Sequence, residues 1–239
     1  MDEQAKKPYN ILYGESYLLN LGIELKFLDK LENIFFVRKE KSILFKKDYA
    51  VQAQCISDIS EKIGFLHLAL NYIRQLQSKQ YSTRLTKYHF YNFVYDCKAC
   101  LDSIAVLLNH QLGLGFEGGK RDFRFGNFRG KLEEKSKFFK DFSSRFGHWC
   151  DDIIEYRKRI IHQIGVPVLQ VAAGHPDEAW KPSLPLCIPK EAISVIDLAL
   201  GKKCEPMEII TFCQDCIKKM MDIAEIALRE VHENISKGC

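Results

Sequence analysis

The 239-residue sequence has no apolar run long enough to cross a bilayer, which takes roughly 18 to 20 such residues in succession. Its first ten residues, MDEQAKKPYN, carry charge with no apolar stretch behind it, so no secretory signal is expected. These two absences predict a cytoplasmic chain with no membrane partner. Internal repeats and low-complexity tracts are also missing, which argues against a solenoid or a disordered tail. Three signatures that would name an enzyme class are absent: the P-loop G-x-x-x-x-G-K-[ST], the zinc-binding H-E-x-x-H and the nucleophile elbow G-x-S-x-G. Strong charge of one sign is lacking too. Thirty-five Lys and Arg against 31 Asp and Glu leave a net charge of +4, which permits a polyanionic partner without demanding one.

The nine cysteines are an odd count and sit mostly in apolar, helix-like patterns. That suits free, buried thiols in a reducing compartment. Two CxxC pairs, Cys97 with Cys100 and Cys213 with Cys216, raise the question of zinc. Structural zinc usually draws its cysteines from turns, whereas both pairs fall inside helical patterns (DCKACLDS and FCQDCIKK). They are expected to be small core residues, and neither metal nor cofactor is expected.

What is present is ordinary globular material, 46% hydrophobic and 28% charged, enough for one good-sized domain. Residues 16–36 predict a helix, and the basic stretch VRKEKSILFKK after it a loop. Residues 48–79 predict a long helix capped by Asp48, with apolar residues from Val51 to Ile73 stepping by three and four. Residues 84–111 predict the clearest helix, with Phe90, Val94, Cys97, Leu101, Ile104 and Leu108 on one stripe. Beside that stripe Tyr88, Tyr95, Asp102 and Asn109 recur every seven residues, facing either solvent or a cleft.

Residues 112–130 (LGLGFEGGKRDFRFGNFRG) then break the helix with six glycines. Phe116, Phe123, Phe125 and Phe128 alternate there with Lys120, Arg121, Arg124 and Arg129. Such a mixture suits single-stranded RNA, because rings stack on bases and cations neutralise phosphates. Phenylalanines in a loop between helices also serve as anchors to the core. Short helices are predicted over 131–143 and 145–164, an irregular β-hairpin near 165–190, and a final helix from about Pro206 to Ile235. The fold expected is therefore an all-α, antiparallel helical bundle with a small β insertion. Residues 1–47 are read as a helical extension packed on a bundle domain of 48–239.

The segment EYRKRIIHQIGVP carries three cations, Arg157, Lys158 and Arg159, then His162, and then stops at Gly165 and Pro167. A histidine in the last helical turn can simply answer the partial negative charge there, worth about 0.3–1 kcal/mol. Arg157, four intervening residues and His162 also resemble the R-x4–6-H motif of the HEPN superfamily. The preceding helix FVYDCKACLDSIAVLLNH, the glycine-rich loop and the helix WCDDIIEYR follow the order of elements in that family, so the resemblance covers roughly residues 50–235.

The resemblance implies an all-α domain that pairs about a two-fold axis and brings two motifs into one cleft. It implies a metal-independent endoribonuclease of toxin or defence type, with RNA as substrate and an antitoxin or other protein as a partner. Some family members are instead non-catalytic modules that bind RNA, a nucleotide or a protein. On the active reading, His162 is the acid or base, Arg157 clamps the phosphate, and Asp102, or failing it Asp96, is the helper on the long helix. Lys158, Arg159, Lys120, Arg121, Arg124 and Arg129 would hold RNA. Many active members have Asn or a small polar residue where this chain has Lys158, which bears on whether the site is active. Five helical steps set Arg157 and His162 about 140° apart, which favours a site completed by a second copy.

Overall fold

Apolar side chains three and four residues apart dominate the middle of the chain, and in the computed structural model they become long helices lying side by side. Residues 25–32, 47–77, 83–162, 165–170, 186–191, 193 and 195–238 are described. The short helix α1 is Leu28–Glu32, and Leu25, Leu28 and Leu31 are buried there against the last helix. The rest of the helix expected over 16–36, and the basic stretch after it, lie outside the described residues.

Helix α2 is Lys47–Gln77 and α3 is Thr83–Gln111. The first helix opens one residue ahead of Asp48, which stands in its first turn instead of before it. It buries Cys55, Ile59, Ile63, Leu66, Leu70 and Ile73 on one face. The two helices run antiparallel, as three contacts along their length require. Gln52 Nε2 donates to Gln111 Oε1 at 2.8 Å, Lys62 meets Asp96 at 3.6 Å, and the rings of Tyr72 and His89 stack 4.9 Å apart.

Helix α4 is Gly126–Lys135. It ends earlier than the helix expected over 131–143, because Ser136 adopts an extended backbone. The Ser136 hydroxyl accepts from the amides of Phe138 and Phe139 and donates to the buried Glu230. A wide π-type turn, Ser143–Gly147, leads into α5, His148–His162. The last helix, which follows α6 (Val195–Ala199), is α7, Ile209–Gly238.

Helix α3 packs against α2, α5 and α7 at once and so buries residues on several sides, Phe90, Phe93, Val94, Cys97, Cys100 and Ile104 among them. Phe212 of α7 lies 5.8 Å from Phe90, while Cys97 neighbours Cys216, so α3 and α7 run the same way. Tyr156 of α5 also meets Phe90 and Phe212, and Trp149 meets Cys216, which sets α5 opposite in direction. The architecture is an all-α helical bundle with α3 at its centre.

A small antiparallel sheet covers one end. Strand β1 (Leu169–Gln170) pairs with β2 (Leu186–Pro189), with Leu169 opposite Cys187. Strand β3 (Pro206–Glu208) adds to the other edge, with Ile188 opposite Met207. The last helix was expected to begin at Pro206 and instead begins three residues later. The reason is that β2 is buried along its whole length and β3 satisfies its second edge. A proline is tolerated as the first residue of an edge strand.

The two CxxC pairs are fully buried, Cys97 beside Cys213 and Cys216 of α7 and Cys100 turned toward the Ile59 carbonyl of α2. Trp149 Nε1 donates to Cys216 Sγ at 3.3 Å. Burial pushes the Cys97 and Cys213 thiols well above their ordinary range. Among the described residues, no group of three or more His, Cys, Asp or Glu is arranged to hold a metal ion.

Candidate functional site

Helix α5 has two sharply different faces. Trp149, Cys150, Ile153 and Tyr156 are buried, while Asp151, Arg157, Lys158, Ile161 and His162 are exposed. Tyr156 fixes the roll of the helix. Its ring packs on Phe90 and Phe212, and its hydroxyl donates to the Pro189 carbonyl at 2.5 Å. Arg157, the next residue, is exposed, and its charge reaches Asp102 of α3, the helix packed against α5.

Lys98 and Asp102 stand one turn apart on α3. Lys98 is buried and hydrogen-bonded to Asp102 one turn on. It also pairs with Asp122 of the glycine-rich segment at 3.3 Å. Asp102 is half open to solvent, its side chain 51% exposed. Partial burial raises its pKa above the usual carboxylate range, and the Asp122 charge adds to the rise. The hydrogen bond and charge of Lys98, and then the charge of Arg157, act against it. Two of the three residues expected to carry chemistry, Arg157 and Asp102, therefore share one electrostatic neighbourhood.

His162 does not join them. It is exposed in the last turn of α5, and no hydrogen bond or ion pair engages it among the described residues. Its five-residue separation from Arg157 is about 7.5 Å along the helix and 140° around it. Asp96, the second candidate helper, faces α2 and pairs with Lys62 there.

The cations expected to hold RNA divide into two groups. Arg159 is clasped by Glu155 at 3.1 Å and by Asp197 of α6 at 3.2 Å. Arg129 donates through Nε to the Phe123 carbonyl and pairs with Asp151 through its Nη atoms. Arg121 is half-buried, its Nε donating to the Gly118 carbonyl at 3.3 Å. Lys120, Arg124 and Lys158 are exposed, Lys158 with only a 3.5 Å contact to Glu155.

Three of the four phenylalanines are anchors. Phe123 and Phe128 are buried, Phe123 stacks on Phe142 at 4.8 Å, and Phe116 packs edge-on against Phe128. Phe125 is 37% exposed, with the Arg124 guanidinium 4.5 Å from its ring centre. Of the seven-residue stripe on α3, Tyr88 and Tyr95 face solvent. Asn109 turns inward, where its side-chain amide donates to the Phe116 carbonyl and accepts from the Phe116 amide.

Sequence reasoning missed Lys98 and Asp122, and placed Asn109 on a stripe facing solvent or a cleft. The signal for Lys98 was a lysine inside an otherwise apolar stripe, four residues before an aspartate. Gly113, Gly115 and Gly118 stand at G-x-G-x-x-G spacing, and all three take positive φ. They follow a helix and lead into a 3₁₀ turn, Gly118–Lys120, so the strand–turn–helix setting that gives this spacing its dinucleotide meaning is not there. No family model, curated protein or solved structure matches the chain.

Proposed function

We propose that this chain is a HEPN-like, metal-independent endoribonuclease of toxin or defence type, acting as a homodimer with the outward face of α5 at the cleft. The observation that carries the reading is that the charge of Arg157 on α5 reaches Asp102 on the adjoining α3, with His162 exposed on the same helix as Arg157. Arginine stays charged and offers a planar fork to the scissile phosphate. Histidine exchanges protons near neutrality.

In the reaction, a base removes the 2′-hydroxyl proton and the 2′-oxygen attacks the adjacent phosphorus. The bond from phosphorus to the 5′-oxygen breaks, and an acid protonates that oxygen. The products are a 2′,3′-cyclic phosphate and a 5′-hydroxyl. One α5 aims Arg157 and His162 in different directions, so a two-fold pair is the economical way to bring an arginine and a histidine to one phosphate. Ile161, 38% exposed beside His162, suits such a contact.

A second reading, a non-catalytic module that binds RNA, a nucleotide or a protein, draws on the Lys98–Asp102 ion pair. That pair occupies the carboxylate a catalyst would use. One experiment separates the two readings. Wild type and His162→Ala are incubated with mixed RNA in the presence of a chelator, and the cut ends are mapped. Cyclic-phosphate ends from the wild type alone support the nuclease. RNA retained on a gel without cleavage by either protein supports the binding module.

A further inference from the structure

Lys98 and Glu230 are the two charged residues that are buried among those described. Lys98 lies on the packed central helix with only 8% of its side chain exposed. An unpaired ammonium at such a depth is costly, and removing one partner of a buried ion pair is far worse than never having built it. Two carboxylates answer this charge: Asp102 from the same helix and Asp122 from the segment after the glycines.

Asp122 is not a free arm. Its Oδ1 accepts from the Arg124 amide at 2.8 Å and its carbonyl from the Phe125 amide at 3.0 Å. The next residue, Phe123, is buried, and its carbonyl takes the Arg129 guanidinium that also pairs with Asp151 of α5. The turn 122–125 therefore holds Asp122 against Lys98, and lifting the turn carries the carboxylate away. The charged and titratable groups facing the pair are Asp102 on α3, Asp122 in the turn, Arg129 on α4, and Cys150, Asp151 and Arg157 on α5.

We propose that Lys98 is a positioning residue that couples the turn 122–125 to Asp102, because one buried ammonium is shared between Asp122 of the turn and Asp102 of α3. When the turn lifts, Asp102 loses a like-charged neighbour and gains the undivided attention of Lys98, so it holds its negative charge more firmly. When Asp102 loses its charge, Lys98 grips the turn harder. The two effects are one coupling free energy seen from two ends and must be equal. That this governs catalysis rests on the reading of Arg157, Asp102 and His162 as an RNA-cutting site. The coupling itself belongs to the folded chain and is measured without RNA.

The test uses the full chain and its Asp122→Asn, Asp102→Asn and Lys98→Met variants. Two readouts are taken: titration of the Asp102 carboxyl by carbon-13 NMR, and hydrogen exchange at the Arg124 and Phe125 amides. In Asp122→Asn, Asp102 should titrate at lower pH, and the two amides should exchange roughly tenfold faster, as a local opening equilibrium does when its closing contact is cut. In Asp102→Asn the same amides should exchange more slowly than in wild type. A purely structural lysine would give no such slowing. If Asp102 titrates unchanged in Asp122→Asn, or the amides are indifferent to Asp102→Asn, the coupling is wrong.

Lys98→Met should raise the Asp102 titration and free the turn together. Should that variant fail to fold, the two carboxylate variants decide alone. If wild type cuts no RNA while both readouts move as stated, the nuclease reading falls and the coupling stands.

Discussion

The Tyr91 hydroxyl engages Val166 twice, donating to its carbonyl at 3.1 Å and accepting from its amide at 3.0 Å. This pair ties the chain leaving α5 to the first third of α3 and so sets the end of the helix that carries His162. It also explains the glycine between them. Gly165 takes φ +87°, and a Cβ there would collide with the same Tyr91 hydroxyl. Gly165→Ala is expected to cost roughly 1–3 kcal/mol, from backbone strain and from that collision. Denaturant titration in wild-type and Tyr91→Phe backgrounds separates the two, because Phe removes the colliding atom and leaves the φ. An equal cost in both backgrounds would assign everything to the backbone.

On the proposed chemistry, His162→Ala leaves the thermal transition unchanged, since no described partner is lost, and reduces RNA cleavage by roughly 10²–10⁴-fold. Arg157→Lys reduces cleavage as well, because a point charge cannot copy a bidentate fork. Rates measured at saturating and limiting RNA distinguish a weaker phosphate grip from a slower chemical step. A silent Arg157→Lys would remove the clamp role.

Asn109 closes the glycine-rich segment by gripping both backbone groups of Phe116 at 3.1 and 3.0 Å. Asn109→Ala strands those groups and is expected to destabilise by roughly 1–3 kcal/mol. Limited proteolysis should then cut between Gly113 and Lys120, ahead of any other site. Resistance equal to wild type would mean that the glycines hold the turn unaided.

Burial gives the fold an alkaline weakness. The Cys55 thiol is pushed up from 9.0 to about 11 and the Cys150 thiol to about 12, chiefly by burial. Below pH 9 folded and unfolded chains both keep these protons, and the stabilisation is whole. As pH rises from 9 toward the folded values, the unfolded chain loses its protons first and gains. Each group then removes stability at about 1.4 kcal/mol per pH unit. Urea midpoints should fall between pH 9 and 11, and less steeply in Cys150→Ala. Parallel falls in the two proteins would place the loss elsewhere.

Helical periodicity made α2, α3 and the core face of α7 legible, because each buries a stripe that repeats every three or four residues. It misjudged α4 and the start of α7 because both boundaries are set by distant partners. Ser136 leaves the helix toward Glu230, 94 residues away, and Pro206 to Glu208 are drawn into pairing with β2. Neither partner is visible in a local window. In the candidate site, Arg157 and His162 were read as a spacing and Asp102 as a stripe. The lysine joining Asp102 to the loop escaped notice because its second partner, Asp122, lies 24 residues on. Arg159 and Arg129 were read as ligands for RNA, and their clasps to Asp197 and Asp151 depend on helix packing that composition does not encode.

The shared direction of α3 and α7 has a kinetic consequence. Helices α2 and α3 are neighbours in sequence and can pair after closing a short loop, whereas α7 reaches the same core face only after the chain has travelled down α5 and back through the sheet. Loop closure over that distance costs entropy before any contact repays it. The α2–α3 pair should therefore be structured in the folding transition state and α7 largely not. Trimming Ile59 or Leu66 on α2 would slow refolding, while trimming Ile223 or Leu228 on α7 would chiefly hasten unfolding. The last helix would then act mainly as the element that sets the lifetime of the folded state.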